Sequence, residues 1–255
     1  MSARKYILKI PRKTVIRPTP QTDISRISRL IRAGAKRLLK QVPLSADFFL
    51  SADSDIAEAN LAVHIASAFI KETRHLVWAE APLLVPGKMK LGRFDLSIDL
   101  DYKHSSHPEL LRVEVKRITS GEENKKAGEI VCDFWRLKSW EDPWGKLRSQ
   151  EQRYGAVGII IPETCDKLGD IPKPSFSDWW FKRGVGSAPA VYKQKVLSQL
   201  RLILRYASIV NLVSAPPPWH GLRKFIVLYA VFDFRKIKAL SRSKPCGLGH
   251  TAASL

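Results

Sequence analysis

Three side chains in one short span could do chemistry together: Asp95, Glu114 and Lys116. The segment around Asp95 reads Gly-Arg-Phe-Asp-Leu-Ser-Ile-Asp-Leu and alternates strictly. Phe94, Leu96, Ile98 and Leu100 fall on one side of an extended chain, with Asp95, Ser97 and Asp99 on the other. That is the period-2 signature of a half-buried strand. The segment around Glu114 repeats it, with Leu111, Val113 and Val115 on one face and Arg112, Glu114 and Lys116 on the other. Residues 103–109 carry Ser105, Ser106 and Pro108 and read as a turn, so the two strands are antiparallel neighbours. Two carboxylates on adjacent strands supply hard oxygen ligands, which suit Mg²⁺, with Mn²⁺ as a substitute. Lys116 shares the face of Glu114 and would lie beside a water held by such an ion.

The elements that position these groups follow from periodicity. Residues 53–74 have helical spacing. Glu58 falls in line with Leu61, Ala62, Ile65 and Phe69, in the middle of the apolar stripe. A carboxylate there is costly without a partner, and a metal ion held by the hairpin would be one. Leu76–Val85 reads as a first strand, on which Glu80 reads as a surface residue before a second acidic contributor to the site. After Lys116, residues Ile130, Phe134 and Leu137 mark a helix ending near Trp140. Tyr154–Ile161 is a continuous apolar run closed by Pro162, as expected of a strand buried on both faces and parallel to the one before the helix.

This order of helix, three strands, helix and strand, with Asp95 and Glu114-Val115-Lys116 on the central hairpin, resembles the PD-(D/E)XK nuclease superfamily. Phe94 stands where the named pattern has proline. The resemblance spans about residues 53–162. It implies a restriction-endonuclease-like α/β fold: a mixed central sheet flanked by helices, an α-β-β-β-α-β core, with basic helical N- and C-terminal additions. It also implies a metal-dependent nuclease that hydrolyses phosphodiester bonds, in DNA before RNA. Its ligands would be Asp95, Glu114, the backbone carbonyl of Val115 and Glu58. Lys116 would orient the attacking water. The alternative is a non-catalytic nucleic-acid-binding protein of the same fold.

Composition agrees with a polyanionic partner. The chain has 255 residues and a formal net charge of +19, which favours nucleic acid. Its apolar runs are too short to span a bilayer, and no early segment resembles a signal peptide. No membrane role and a cytoplasmic or nucleoid-associated location are therefore expected, with a homodimer or larger complex left open. Cys132, Cys165 and Cys246 are scattered and imply neither a disulfide framework nor a zinc site.

Four regions are expected. Residues 1–50 hold twelve Lys or Arg by residue 42, three prolines by residue 20, and a basic amphipathic helix from Ile24 to Val42. Residues 51–165 form the nuclease-like core. Residues 166–240 extend it with an aromatic and basic loop around Trp179-Trp180, a basic helix over Val191–Val210, and a strand over Lys224–Phe234 at the sheet edge. Trp179 and Trp180 could stack on unpaired bases or plug the loop. Residues 241–255 are expected to be a disordered tail.

Overall fold

The computed structural model describes residues 24–41, 57–72, 75–84, 91–100, 109–139, 152–166, 168, 170–216 and 223–237. The proline-rich start, the part of the expected helix before residue 57, the expected turn over 103–109 up to residue 108 and the expected tail lie outside them.

A six-stranded mixed sheet runs through the centre in the order β1-β2-β3-β4-β6-β5. Its strands are β1 (Leu76–Leu84), β2 (Leu91–Leu100), β3 (Glu109–Arg117), β4 (Gln152–Thr164), β5 (Ile209–Ser214) and β6 (Arg223–Asp233). β1, β2 and β3 are antiparallel neighbours, and β4 is parallel to β3. Parallel neighbours need a crossover, and helix α3 (Glu123–Ser139) supplies it.

Helices α1 (Ile24–Gln41) and α2 (Glu58–Ile70) cover one face of the sheet. Their apolar stripes join Leu96, Ile98, Val113, Val115, Ala156 and Tyr229 in one core. Gly34 lets the two backbones touch: a Cβ there would lie 2.7 Å from the Cα of Ile65. The basic helix α1 is thus built into the core, with Ile27, Ile31, Leu38 and Leu39 buried and Arg29, Arg32, Lys36 and Lys40 outside.

On the other face lie α3, the short helix α4 (Phe176–Phe181) and α5 (Gln194–Tyr206). Trp179 and Trp180 are buried here beside Phe176 and Tyr192. They plug the loop, so their rings are closed to any base.

Two readings are corrected at the end of the chain. The basic helix stops at Tyr206, because Ala207 is already extended and residues from Ile209 form β5. The last strand is not at the edge: β6 lies between β4 and β5, and β5 is the edge. The long apolar run of β6 has the physical reason, since both of its faces are buried.

Candidate active site

The ladder between β2 and β3 runs from Leu100↔Glu109 to Leu96↔Val113 and stops there. The next residues across the gap are Asp95 and Glu114. In place of the next ladder bond, Val115 donates its backbone N–H to Asp95 Oδ2 at 2.6 Å. The N–H and C=O of a strand residue point the same way, so the Val115 carbonyl faces the same opening. The two strands thus fork where the carboxylates stand.

The fork also corrects the alternation. Leu96, Ile98 and Leu100 share the core under α1 and α2, but Phe94 lies in the opposite core, among Ile130, Val131 and Phe134 of α3. The backbone accounts for it. Glu80, across from Asp95, has φ of 48°, a left-handed conformation uncommon for a residue with a side chain. The β1–β2 pairs resume on either side, at Ala79↔Leu96 and Ala81↔Phe94. Glu80 itself is exposed and paired with Arg93 at 2.6 Å.

Glu114 and Lys116 project toward α3, where two residues missed in the sequence meet them. Arg136 Nη2 donates to Glu114 Oε1 and lies 2.9 Å from Asp133 Oδ1. Lys116 Nζ lies 3.2 Å from Asp133 Oδ2. The chain Lys116–Asp133–Arg136–Glu114 is therefore continuous. The side chains of Glu114 and Asp133 are 2% and 7% exposed, whereas Arg136 is 33% exposed. The guanidinium groups of Arg136 and Arg112 stand 5.7 Å and 5.1 Å from the centre of the Phe94 ring. The flipped Phe94 thus offers Arg136 an aromatic surface. Asp133 lies three residues after Ile130 and four before Leu137, on the buried stripe of α3. A charge on that stripe was the available signal.

Glu58 opens α2 and reaches the end of β3, where its Oε1 accepts the backbone N–H of Arg117 at 2.8 Å. Lys126 Nζ stands 3.9 Å from the same oxygen. Glu58 is therefore turned to β3 but bound to backbone. The set Glu58, Asp95 and Glu114 does not close on a common point, and among the described residues no group of three or more His, Cys, Asp or Glu could hold a metal ion.

The electrostatics follow from crowding. Three carboxylates, Asp95, Glu114 and Asp133, face two cations, Lys116 and Arg136. Burial pushes Glu114 up to about 8, with Asp133 and Asp95 adding to the rise and Arg136 opposing it. Burial likewise raises Asp133, against Lys116 and Arg136. For Lys116, burial favours the neutral amine, but Asp133, Glu58 and Glu114 outweigh it and hold the ammonium charged. Asp95, Glu114 and the Val115 carbonyl are hard oxygen donors at one opening, so the donor chemistry fits a divalent cation there. Such an ion would meet Arg136 already held on Glu114 Oε1.

No helix among the described residues is long and apolar enough to cross a membrane. Compared with protein-family models, with curated proteins and with solved structures, the chain matches none of them.

Proposed function

We propose that this protein is a metal-dependent nuclease of the PD-(D/E)XK type, hydrolysing phosphodiester bonds in DNA before RNA. The observation that carries the reading is the fork: Asp95 and Glu114 stand across from each other where β2 and β3 part. The mixed sheet and the order of its first four strands around α2 and α3 support it, since that order belongs to a restriction-endonuclease-like core.

Asp95, Glu114 and the Val115 carbonyl would hold Mg²⁺ or Mn²⁺, with Glu58 reaching it through water. The ion, when bound, supplies an acidified water and neutralises charge on the scissile phosphate. Lys116 is held charged and pinned by Asp133, so its ammonium is preorganised to donate to an attacking water or to the oxygen where charge develops. Asn124 ties the start of α3 to the segment before α5, donating to the Val191 carbonyl at 2.7 Å and accepting from the Lys193 N–H. Lys193 and Lys195, exposed beside this tie, offer basic groups suited to the phosphate backbone.

One observation favours the non-catalytic alternative: Arg136 already neutralises Glu114. Incubation with circular single-stranded DNA, circular duplex DNA and RNA, with Mg²⁺ or EDTA, decides between the two. Cleavage that requires Mg²⁺ and is lost in Asp95→Asn and Lys116→Met is the expected result. Tight binding without turnover in Mg²⁺ or Mn²⁺ would leave the binding protein.

A further inference from the structure

We infer that Arg136 is an internal counter-cation that competes with the divalent ion for Glu114, so that the site is closed until Arg136 lets go. The inference rests on the metal-dependent reading above. Arg136 Nη2 donates to Glu114 Oε1 and also lies 2.9 Å from Asp133 Oδ1, so one guanidinium edge holds two buried carboxylates. Without a cation there, Glu114, at 2% exposure, would be a buried charge facing Asp95 and Asp133, an arrangement that is strongly unfavourable. Arg136 meets that need within the chain itself.

The same contact opposes a metal. It occupies Glu114 Oε1, and a second cation brought to the same carboxylate is repelled by the guanidinium. Withdrawal of Arg136 from Glu114 therefore favours arrival of the ion. The two cations of the cluster are built differently for it. Lys116 is 17% exposed and pinned to Asp133, whereas Arg136 is 33% exposed at the edge of α3. A long side chain there can move its head into solvent while its stem stays packed. The ring of Phe94, 5.7 Å from the guanidinium, lines the position to which it returns.

A purely structural Arg136 predicts only lost stability on substitution. A competitor predicts lost stability without metal and gained affinity for metal. The experiment is direct binding of Mn²⁺, followed by the spin resonance of the free ion, on the full chain and on Arg136→Gln and Arg136→Lys. A hydrogen bond between charged groups is worth enough that Arg136→Gln is expected to tighten Mn²⁺ binding ~10- to 100-fold. Arg136→Lys, whose shorter side chain and compact, strongly hydrated ammonium reach the two carboxylates less well, should tighten it several-fold. It also carries the test should Arg136→Gln fail to fold in EDTA. Asp95→Asn placed on Arg136→Gln should abolish the gain. Equal or weaker binding by both variants overturns the competition and leaves the metal site standing. A gain that survives Asp95→Asn places the ion elsewhere and overturns it too. Absence of Mn²⁺ binding in every protein overturns both the competition and the metal-dependent reading.

Discussion

Asp95 accepts the backbone N–H of Val115 at 2.6 Å, so a side chain stands where the β2 backbone would otherwise continue the ladder. This gives Asp95 two separable properties, a hydrogen-bond acceptor and a charge. Asp95→Asn keeps an acceptor for Val115 and removes the charge that helps push Glu114 up. Its metal-free stability is expected to equal or exceed that of the wild type. Asp95→Ala leaves the Val115 N–H without this partner, and an unpaired buried donor costs about 1–3 kcal/mol. Urea unfolding in EDTA separates the two variants. Equal stability of Asn and Ala would mean the fork does not depend on this bond.

The ion pairs around Asp133 make a second case. Asp133 is 7% exposed and touches both Lys116 and Arg136. Removing one partner of a buried pair typically costs about 3–5 kcal/mol, because the remaining charge is stranded. Asp133→Ala should fall near the lower end, since Arg136 keeps Glu114. Lys116→Met combined with Asp133→Ala should then cost less than the sum of the two single changes. The double-mutant cycle, again by urea unfolding in EDTA, checks this. Strict additivity would show that Lys116 is not held by Asp133.

Acidity supplies a third expectation. Glu114 sits at about 8 in the folded protein against an ordinary 4.5. A carboxyl raised on folding binds more protons in the native state than in the unfolded one. Its contribution to stability is therefore complete below about pH 4.5 and is lost as pH rises toward 8. Within that window Glu114 alone gives a slope of at most ~1.4 kcal/mol per pH unit, and Asp133, raised with it, adds in the same direction. Glu114→Gln should flatten the profile between those limits. Thermal melts in EDTA across the range measure it. A wild-type curve that rises through the same interval would contradict the crowded, buried cluster.

Much of this arrangement is legible in the amino-acid order. The alternation over Leu111–Lys116 assigns both faces of β3 correctly, because a strand with helices on both sides sorts its residues by the pleat alone. The same rule fails one strand away. Phe94 continues the pattern of Leu96 and Ile98 but lies on the opposite face, where the β1 backbone across from it turns left-handed at Glu80, a feature that hydrophobicity does not record. Strand β5 escapes for another reason. Its six residues are mostly half-buried and follow a helix of the same apolar character, so neither alternation nor a breaker marks its start. Asp133 and Arg136 are not marked by the apolar positions of α3. A charge on an apolar stripe, the signal that singles out Glu58, marks Asp133 as well.

The approach of α1 to α2 gives a prediction far from the chemistry. A Cβ on Gly34 would lie 2.7 Å from the Cα of Ile65 and 2.8 Å from the carbonyl oxygen of His64. Both neighbours are backbone, so the helices must separate. Gly34→Ala would ordinarily favour a helix by up to about 1 kcal/mol. Here overpacking should dominate and destabilise by roughly 1–3 kcal/mol. A variant more stable than the wild type in urea would mean that α1 does not dock on α2 by this contact.

The charged side of α1 is where nucleic-acid affinity can be tested without disturbing the core. Truncating the helix would strip Ile27, Ile31, Leu38 and Leu39 from the interior, so loss of binding after truncation would say nothing about charge. Arg29, Arg32, Lys36 and Lys40 are three or four residues apart and exposed, which places them on one stripe. Arg29 also stands 3.7 Å from Glu72, but at 71% exposure that pair adds little. Replacing all four with Gln should leave the urea midpoint within a small margin, because exposed substitutions of this kind rarely matter to folding. Binding to duplex DNA should weaken. The slope of log K against log salt should fall by ~0.9 for each of these residues that meets a phosphate, and so by up to ~3.6. Turnover of saturating substrate should be unchanged, because none of the four belongs to the fork of Asp95 and Glu114. A titration of affinity against salt for the wild type and the fourfold variant decides the matter. An unaltered slope with intact folding would place α1 away from the nucleic acid and leave the exposed Lys193 and Lys195 to carry backbone contacts.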